Sequence, residues 1–460
     1  MQALQLRYCA ADSGASPPVK YRRPSTLLSS IFGIAVGAAL LASAPVAHAV
    51  VPNTPTIEGP ITGPGPMHPG FREGPAGTNP ADFGYISEEY FASGTAGPDN
   101  APYKVRVLVF RPKKIQKFEG TVIYEPTHRG GNALIFQFAR YGILQRGYIG
   151  VTVGARAINL TNPTTPAAGL KTFNPDRYGS LQVADNQTND ILAQVAWMIK
   201  SRNPKSPLGA ATRVKGIVMG GTSDSSGATR SYMANAHNTA FRTPSGGPIA
   251  DGFFISSTLG TAPVEITDVP TIQMPTQFEL ASSNAWRRPD SDTPSNRFRI
   301  FEVTGMSHND SRDQPADIVF PGCGEPLSRF PYGPMTFMGL QWVVDWAFKG
   351  RTPPHAQPME VLAGPPRQLV LDQVGNVKGG VRTPHTDVPL YRYITPNTGP
   401  GLCSQSGRQE RIPDDVLKTL YKNRGIYTAK FLLSLHKLER AGFWPKEYTL
   451  RYGIADLKDY

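Results

Sequence analysis

Along Tyr103 to Pro112, Val105, Val107 and Val109 fall on every second position, interleaved with Arg106, Leu108 and Phe110. A period of two rich in β-branched side chains predicts a strand, because successive side chains of an extended chain point to opposite faces. Apolar runs of strand length follow at Thr121 to Tyr124, Tyr148 to Val153, Gly216 to Met219, Gly252 to Ile255, Thr271 to Met274 and Phe298 to Val303. Several lack alternation, the pattern of strands covered on both faces.

Helical spacing fills the gaps. From Asp190 to Arg202, Ile191, Leu192, Val195, Ala196 and Ile199 share one face, with an acidic residue near the start. Met335 to Phe348 reads as a second helix. From Ile412 to Tyr460 the spacing of Val416, Leu417, Leu420, Phe431, Leu432, Leu435 and Leu438 predicts helices packed onto the main domain. Strands alternating with helices predict the α/β class, with a mostly parallel central sheet flanked by helices and extra C-terminal helices. Residues 50–83 are dense in Pro and Gly and predict an extended lead-in along the surface; residues 84–460 show no linker and predict one domain.

The first 49 residues have a different character. Lys20, Arg22 and Arg23 precede an apolar run from Leu27 to Leu41, and Ala47-His48-Ala49 offers small residues for cleavage. This is the layout of a removable export signal. The uninterrupted apolar stretch is shorter than the roughly 20 residues of a bilayer span, which weighs against an uncleaved anchor. Arg22-Arg23 suggests twin-arginine export, although Pro24, Ser25 and Thr26 depart from the fuller motif and a general secretory route stays open. Losing the signal removes +3 of the formal charge of +12 and leaves about +9. The basic residues are spread without a dense run, which argues against nucleic-acid binding. Cys9 leaves with the signal, so Cys323 and Cys403 remain as a candidate disulfide in an oxidising compartment, two separate thiols being the alternative.

The chemistry concentrates at Gly216-Ile217-Val218-Met219-Gly220-Gly221-Thr222-Ser223-Asp224-Ser225-Ser226-Gly227, where an apolar strand runs into glycines, a serine and a helix. This is the arrangement of a nucleophile elbow, in which residues two before and two after the serine are small because strand and helix approach closely. Gly221 and Ser225 meet that demand, although the strict pattern has glycine at the second position. A phosphate-binding loop is disfavoured because its lysine is missing. Serine needs a base, and the base needs an oriented tautomer. His308, in the loop beyond Val303, is the candidate base; His68, His237, His355, His385 and His436 lie in less suitable settings. Glu279, just beyond the strand Thr271 to Met274, is the candidate acid, with Asp290 and Asp292 as alternatives. For the oxyanion, the backbone N–H of Asp224 is one candidate donor and that of Gly130, in Pro126-Thr127-His128-Arg129-Gly130-Gly131, the other. No metal site is read from the sequence.

Several segments together resemble a bacterial family of mostly exported alpha/beta hydrolase domain-containing proteins. They are Glu89-Tyr90-Phe91-Ala92-Ser93-Gly94-Thr95-Ala96, the strand from Tyr103 to Pro112, the elbow through Arg230-Ser231-Tyr232, and Trp346-Ala347-Phe348-Lys349-Gly350 before Pro353-Pro354. The resemblance implies the α/β-hydrolase fold, Ser223 as nucleophile, His308 as base, and an acid at Glu279 after Thr-x-x. Asp224 departs from the glutamine usual after the nucleophile, and Gln277 from an acid common two positions before Glu279, so a substrate contact made by either side chain differs. The expectation is an exported serine hydrolase acting on a small-molecule carboxylic ester, without a cofactor. An amidase, lactonase or acyltransferase would use the same parts, and a catalytically silent binding protein of this fold is the competing class.

Overall fold

Continuous apolar runs become the centre of a ten-stranded sheet because they are covered on both sides. The computed structural model describes residues 50–460 apart from 76, 259, 261, 283–285, 313–321 and 365–367. The candidate export signal therefore lies outside the described residues.

In chain order the strands are β1 (Thr56–Glu58), β2 (Tyr85–Ala96), β3 (Ala101–Pro112), β4 (Thr121–Pro126), β5 (Ile149–Val153), β6 (Gly216–Thr222), β7 (Gly252–Ser256), β8 (Thr271–Met274), β9 (Ser291–Thr293) and β10 (Asn296–Ile300). Across the sheet they run β1-β2-β3-β5-β4-β6-β7-β8-β10-β9. From β5 to β10 the neighbours are parallel, and antiparallel strands close both edges. The main helices are α1 (Leu134–Arg146), α2 (Thr188–Lys200), α3 (Asp224–Tyr232), the short α4 (Gln277–Ser282), α5 (Tyr332–Lys349), α6 (Asp414–Tyr421) and α7 (Arg424–Arg440).

The pleat sorts the core into two layers. Val218 and Phe254 face a cluster with Phe136 and Ile143 of α1 and Phe337 and Val343 of α5. Their neighbours Ile217, Met219, Phe253 and Ile255 face the opposite cluster, with Ile191, Val195 and Ile199 of α2 and Tyr232 of α3. The C-terminal helices dock as their spacing predicts: Leu435 joins the first cluster with Trp444 and Tyr448, and the Tyr448 hydroxyl accepts from Gly142 N in α1 (2.9 Å).

Two parts depart from the sequence reading. The lead-in is built into the sheet rather than lying along it: β1 pairs with β2, placing Thr56 opposite Ser93. Buried Arg177 donates to Ile61 O (2.7 Å) and Gly65 O (3.0 Å), and Arg106 donates to His68 O. Both arginines converge on Glu89, itself 1% exposed and also receiving the Tyr178 hydroxyl (2.8 Å). The strand anticipated over Phe298 to Val303 starts earlier and stops at Ile300. Beyond it, Glu302 turns into the interior to receive Arg287 (2.6 and 2.7 Å) and Met359 N (2.6 Å).

Candidate active site

The end of β6 delivers Ser223 onto a turn of unusual backbone. Its φ of 58° and ψ of −124° place a residue with a Cβ in a region that costs on the order of 1–3 kcal/mol. Packing enforces the turn. A Cβ on Gly221 would lie 2.3 Å from the Ser225 carbonyl carbon and 2.4 Å from Ser226 N, so only glycine allows strand and helix this close. Ser225, fully buried, accepts from Thr222 N (3.0 Å) and donates to Thr222 O (2.9 Å). The serine that replaces the usual glycine thus ties the turn together. Ser223 N donates to Ser256 O (3.1 Å), fixing the elbow to β7.

His308 and Glu279 come to this serine from the C-terminal ends of neighbouring strands. His308 Nε2 lies 2.9 Å from Ser223 Oγ, and its Nδ1 lies 2.5 Å from Glu279 Oε1. The imidazole is 5% exposed and the carboxylate 2%, so the chain of hydrogen bonds is shielded from water. The other carboxylate oxygen, Oε2, accepts from Thr276 N (2.7 Å) and Thr276 Oγ1 (2.6 Å). The His308 loop is anchored by Gln277, whose Oε1 accepts from Gly305 N (3.0 Å) and whose Nε2 donates to Tyr393 O (3.2 Å). Gln277, a departure from the family pattern, is buried and both ends of its amide are spent on holding this loop.

On the other side of Ser223, the Asp224 carboxylate accepts from Arg156 Nη2 (2.6 Å) and Arg129 N (2.9 Å). Burial alone would raise its pKa, but the Arg156 hydrogen bond and charge, with the Arg129 N–H, hold it below the ordinary carboxylate value. As first residue of α3, Asp224 has a backbone N–H without a helical acceptor. The Gly130 N–H differs from expectation: it donates to His128 Nδ1 (2.9 Å), because the His128 ring folds back over its own loop. Burial, assisted by Arg156, His308 and Arg129 and opposed by Asp224, pushes His128 down to about 4, so the ring is neutral at neutral pH.

The remaining candidates are elsewhere. Asp290 accepts from Ile300 N (3.1 Å) and meets His355 (2.7 Å), while Asp292 meets Arg299 (2.8 Å). His237 pairs with Asp268 (2.7 Å) and His385 with Asp456 (2.6 Å), yet Nδ1 of each is buried without a partner, so neither ring joins an acid to a serine. Cys323 and Cys403 are joined by a disulfide. Among the described residues no group of three or more His, Cys, Asp or Glu could hold a metal, and no helix is long and apolar enough to cross a membrane. The sequence reading did not weigh His128, Thr276 and Arg156, which the structure brings to this site. His128 sat in a run read only for its glycines, whereas Arg156 carries no local signal.

A family model described as an alpha/beta hydrolase domain matches residues 57–450. No sequence among curated proteins matches the chain. Similar solved structures include the esterase Est22, 15% identical over 44% of this chain and 68% of that one, with a TM-score of 0.27. A dienelactone hydrolase from Anabaena variabilis is 14% identical over 47% of this chain and 86% of that one, with a TM-score of 0.26. A prolyl endopeptidase is 11% identical over 48% of this chain and 35% of that one, with a TM-score of 0.28. The family model runs from the first strand of the sheet to the C-terminal helices, and the chain belongs to the alpha/beta hydrolase domain family.

Proposed function

We propose that the chain hydrolyses carboxylic esters of small molecules through an acyl-enzyme on Ser223. The observation that supports this reading is the continuous set of hydrogen bonds from Ser223 Oγ through His308 to Glu279, built on a turn with a positive-φ serine. His308 Nε2 takes the Oγ proton as Oγ bonds to the carbonyl carbon, then gives it to the departing alcohol oxygen. Water repeats the sequence on the acyl-enzyme and frees the acid. Glu279 holds Nδ1 protonated and turned inward, so that Nε2 faces the serine. No step needs a cofactor.

Export is part of the same proposal. It rests on the signal-like residues 1–49 and gains support from the Cys323–Cys403 disulfide, a bond that persists in oxidising compartments. Recovery of a form starting at Val50 from outside the cytoplasm tests it.

Labelling of the purified protein by a fluorophosphonate probe, beside Ser223→Ala and a panel of acyl esters and amides, tests the chemistry. Wild type is expected to label and to cleave esters, and Ser223→Ala to do neither. Equal labelling of both, or none with folded wild type, overturns the nucleophile.

A further inference from the structure

In the loop between β4 and α1, the five backbone N–H groups from Thr127 to Gly131 are all engaged. Thr127 N donates to Val153 O, His128 N to Asn132 O, Arg129 N to Asp224 Oδ2, Gly130 N to His128 Nδ1 and Gly131 N to His128 O, each at 2.9 Å. Its carbonyls are held as well. Asn159 Nδ2 donates to Thr127 O and His128 O (both 3.2 Å), and Asn162 Nδ2 donates to Arg129 O (2.7 Å). For any of these five N–H groups to serve as second oxyanion donor its present bond must break, whereas a side chain of the same loop can serve with the loop intact.

His128 has the required donor. Because Nδ1 accepts from Gly130, the ring proton is on Nε2, and Nε2 has no hydrogen-bond partner among the described residues. The next residue, Arg129, donates its backbone N–H to Asp224 Oδ2 (2.9 Å), which fastens the loop that carries the ring against the residue following Ser223. The fastened loop fixes its orientation before any substrate arrives. Oriented donors aimed at developing charge are what an acyl-transfer site needs, and histidine side chains serve in that role.

Resting on the acyl-enzyme reading above, we propose that the Nε2–H of His128, together with the backbone N–H of Asp224, stabilises the oxyanion. When Ser223 Oγ bonds to the carbonyl carbon, the C=O π pair moves to the carbonyl oxygen and the Oγ proton passes to His308. The two donors hold that oxygen. When the pair returns, the bond to the alcohol oxygen breaks and His308 protonates the leaving group; His128 keeps its proton throughout. A ring whose pKa is about 4 stays neutral while His308 is charged, so Nδ1 continues to hold Gly130.

The test compares His128→Ala and His128→Gln with wild type and Ser223→Ala on a chromogenic acetate ester, with melting temperature read in parallel. His128→Ala is expected to lose about 10²–10³-fold in kcat with KM changed only a few-fold. His128→Gln, which keeps an N–H near the same place, recovers part of the loss. A kcat for His128→Ala at or above wild type overturns the proposal, because removing the ring frees Gly130 N–H and marks that group as the donor. A rise in KM alone, or an equal loss in both variants with a lowered melting temperature, also overturns it, the first assigning His128 to substrate binding and the second to the fold. Activity surviving in Ser223→Ala overturns the acyl-enzyme reading instead.

Discussion

Thr276 gives Glu279 two hydrogen bonds on one oxygen, Oε2, from its backbone N–H (2.7 Å) and its hydroxyl (2.6 Å), which leaves Oε1 for His308. The carboxylate therefore enters the site already oriented, and its charge is partly satisfied away from the imidazole. Thr276→Val keeps the backbone bond and loses the hydroxyl. We expect kcat to fall about tenfold at little change in KM, since one charge-assisted hydrogen bond contributes roughly 1.5–3 kcal/mol, part of which the remaining bonds retain. Glu279→Gln should cost far more, about 10²–10⁴-fold in kcat, because the amide favours the wrong tautomer. Asp292→Asn should leave kcat within twofold. Turnover that falls only in Asp292→Asn would reassign the acid.

The elbow separates orientation from stability. Ser225→Ala removes both side-chain bonds to Thr222 and leaves a buried N–H without its partner, so denaturant unfolding should report a loss of about 1–3 kcal/mol. Gly221→Ala forces a Cβ against the Ser225 backbone and must open the turn. Its kcat should fall by about 10²-fold or more, as expected for a nucleophile displaced by an ångström. A fully active Gly221→Ala would mean that the turn tolerates a wider angle than the packing allows.

Those two positions show what the sequence made legible. Gly221, Ser223 and Ser225 carry their meaning locally, since small residues around a serine after an apolar strand answer to one steric demand. Glu279 and His308 meet at Ser223 because parallel strands put their C-terminal ends at one edge of the sheet. The acid was only preferred over Asp290 and Asp292, and the difference lies in Arg299, Ile300 and His355, which engage those two. The engagement of Gly130 was illegible for a related reason: glycine signals an approachable N–H but not which neighbour approaches it, and here it is the ring two residues back. β2 was not read as a strand, and what buries its Glu89, the side chains of Arg106 and Arg177, comes from distant parts of the chain.

Glu125, fully inside at the end of β4, accepts from Ile135 N and Phe136 N (both 3.1 Å) at the start of α1. Burial pushes its carboxyl up to about 8 against the pull of those N–H groups. The folded protein therefore holds a proton that the unfolded chain has released. The stability this confers is whole below the unfolded value of about 4.5 and is lost as pH rises through about 8. Glu125→Gln is neutral at every pH. Its melting temperature relative to wild type should climb between pH 6 and pH 9, whatever the offset at pH 6. A difference that stays flat across that range would place the Glu125 pKa below it.

The disulfide braces the loop that carries His308 through a short relay. Cys403 belongs to a 3-10 turn, Gly401–Gln405, and Gln405 O accepts from Ser307 Oγ (3.1 Å) while Asn309 O accepts from Gly407 N (3.1 Å). The residues on both sides of His308 thus lean on the segment that Cys323 tethers across 80 positions of chain. Paired Cys323→Ser and Cys403→Ser substitution should cost about 2–4 kcal/mol in unfolding free energy. If the tether also holds His308 in register with Ser223, kcat should fall several-fold at a temperature where the variant is fully folded, with KM nearly unchanged. Loss of stability with kcat intact would limit the disulfide to the fold, since the Ser307 and Asn309 bonds would then suffice to hold the imidazole in place.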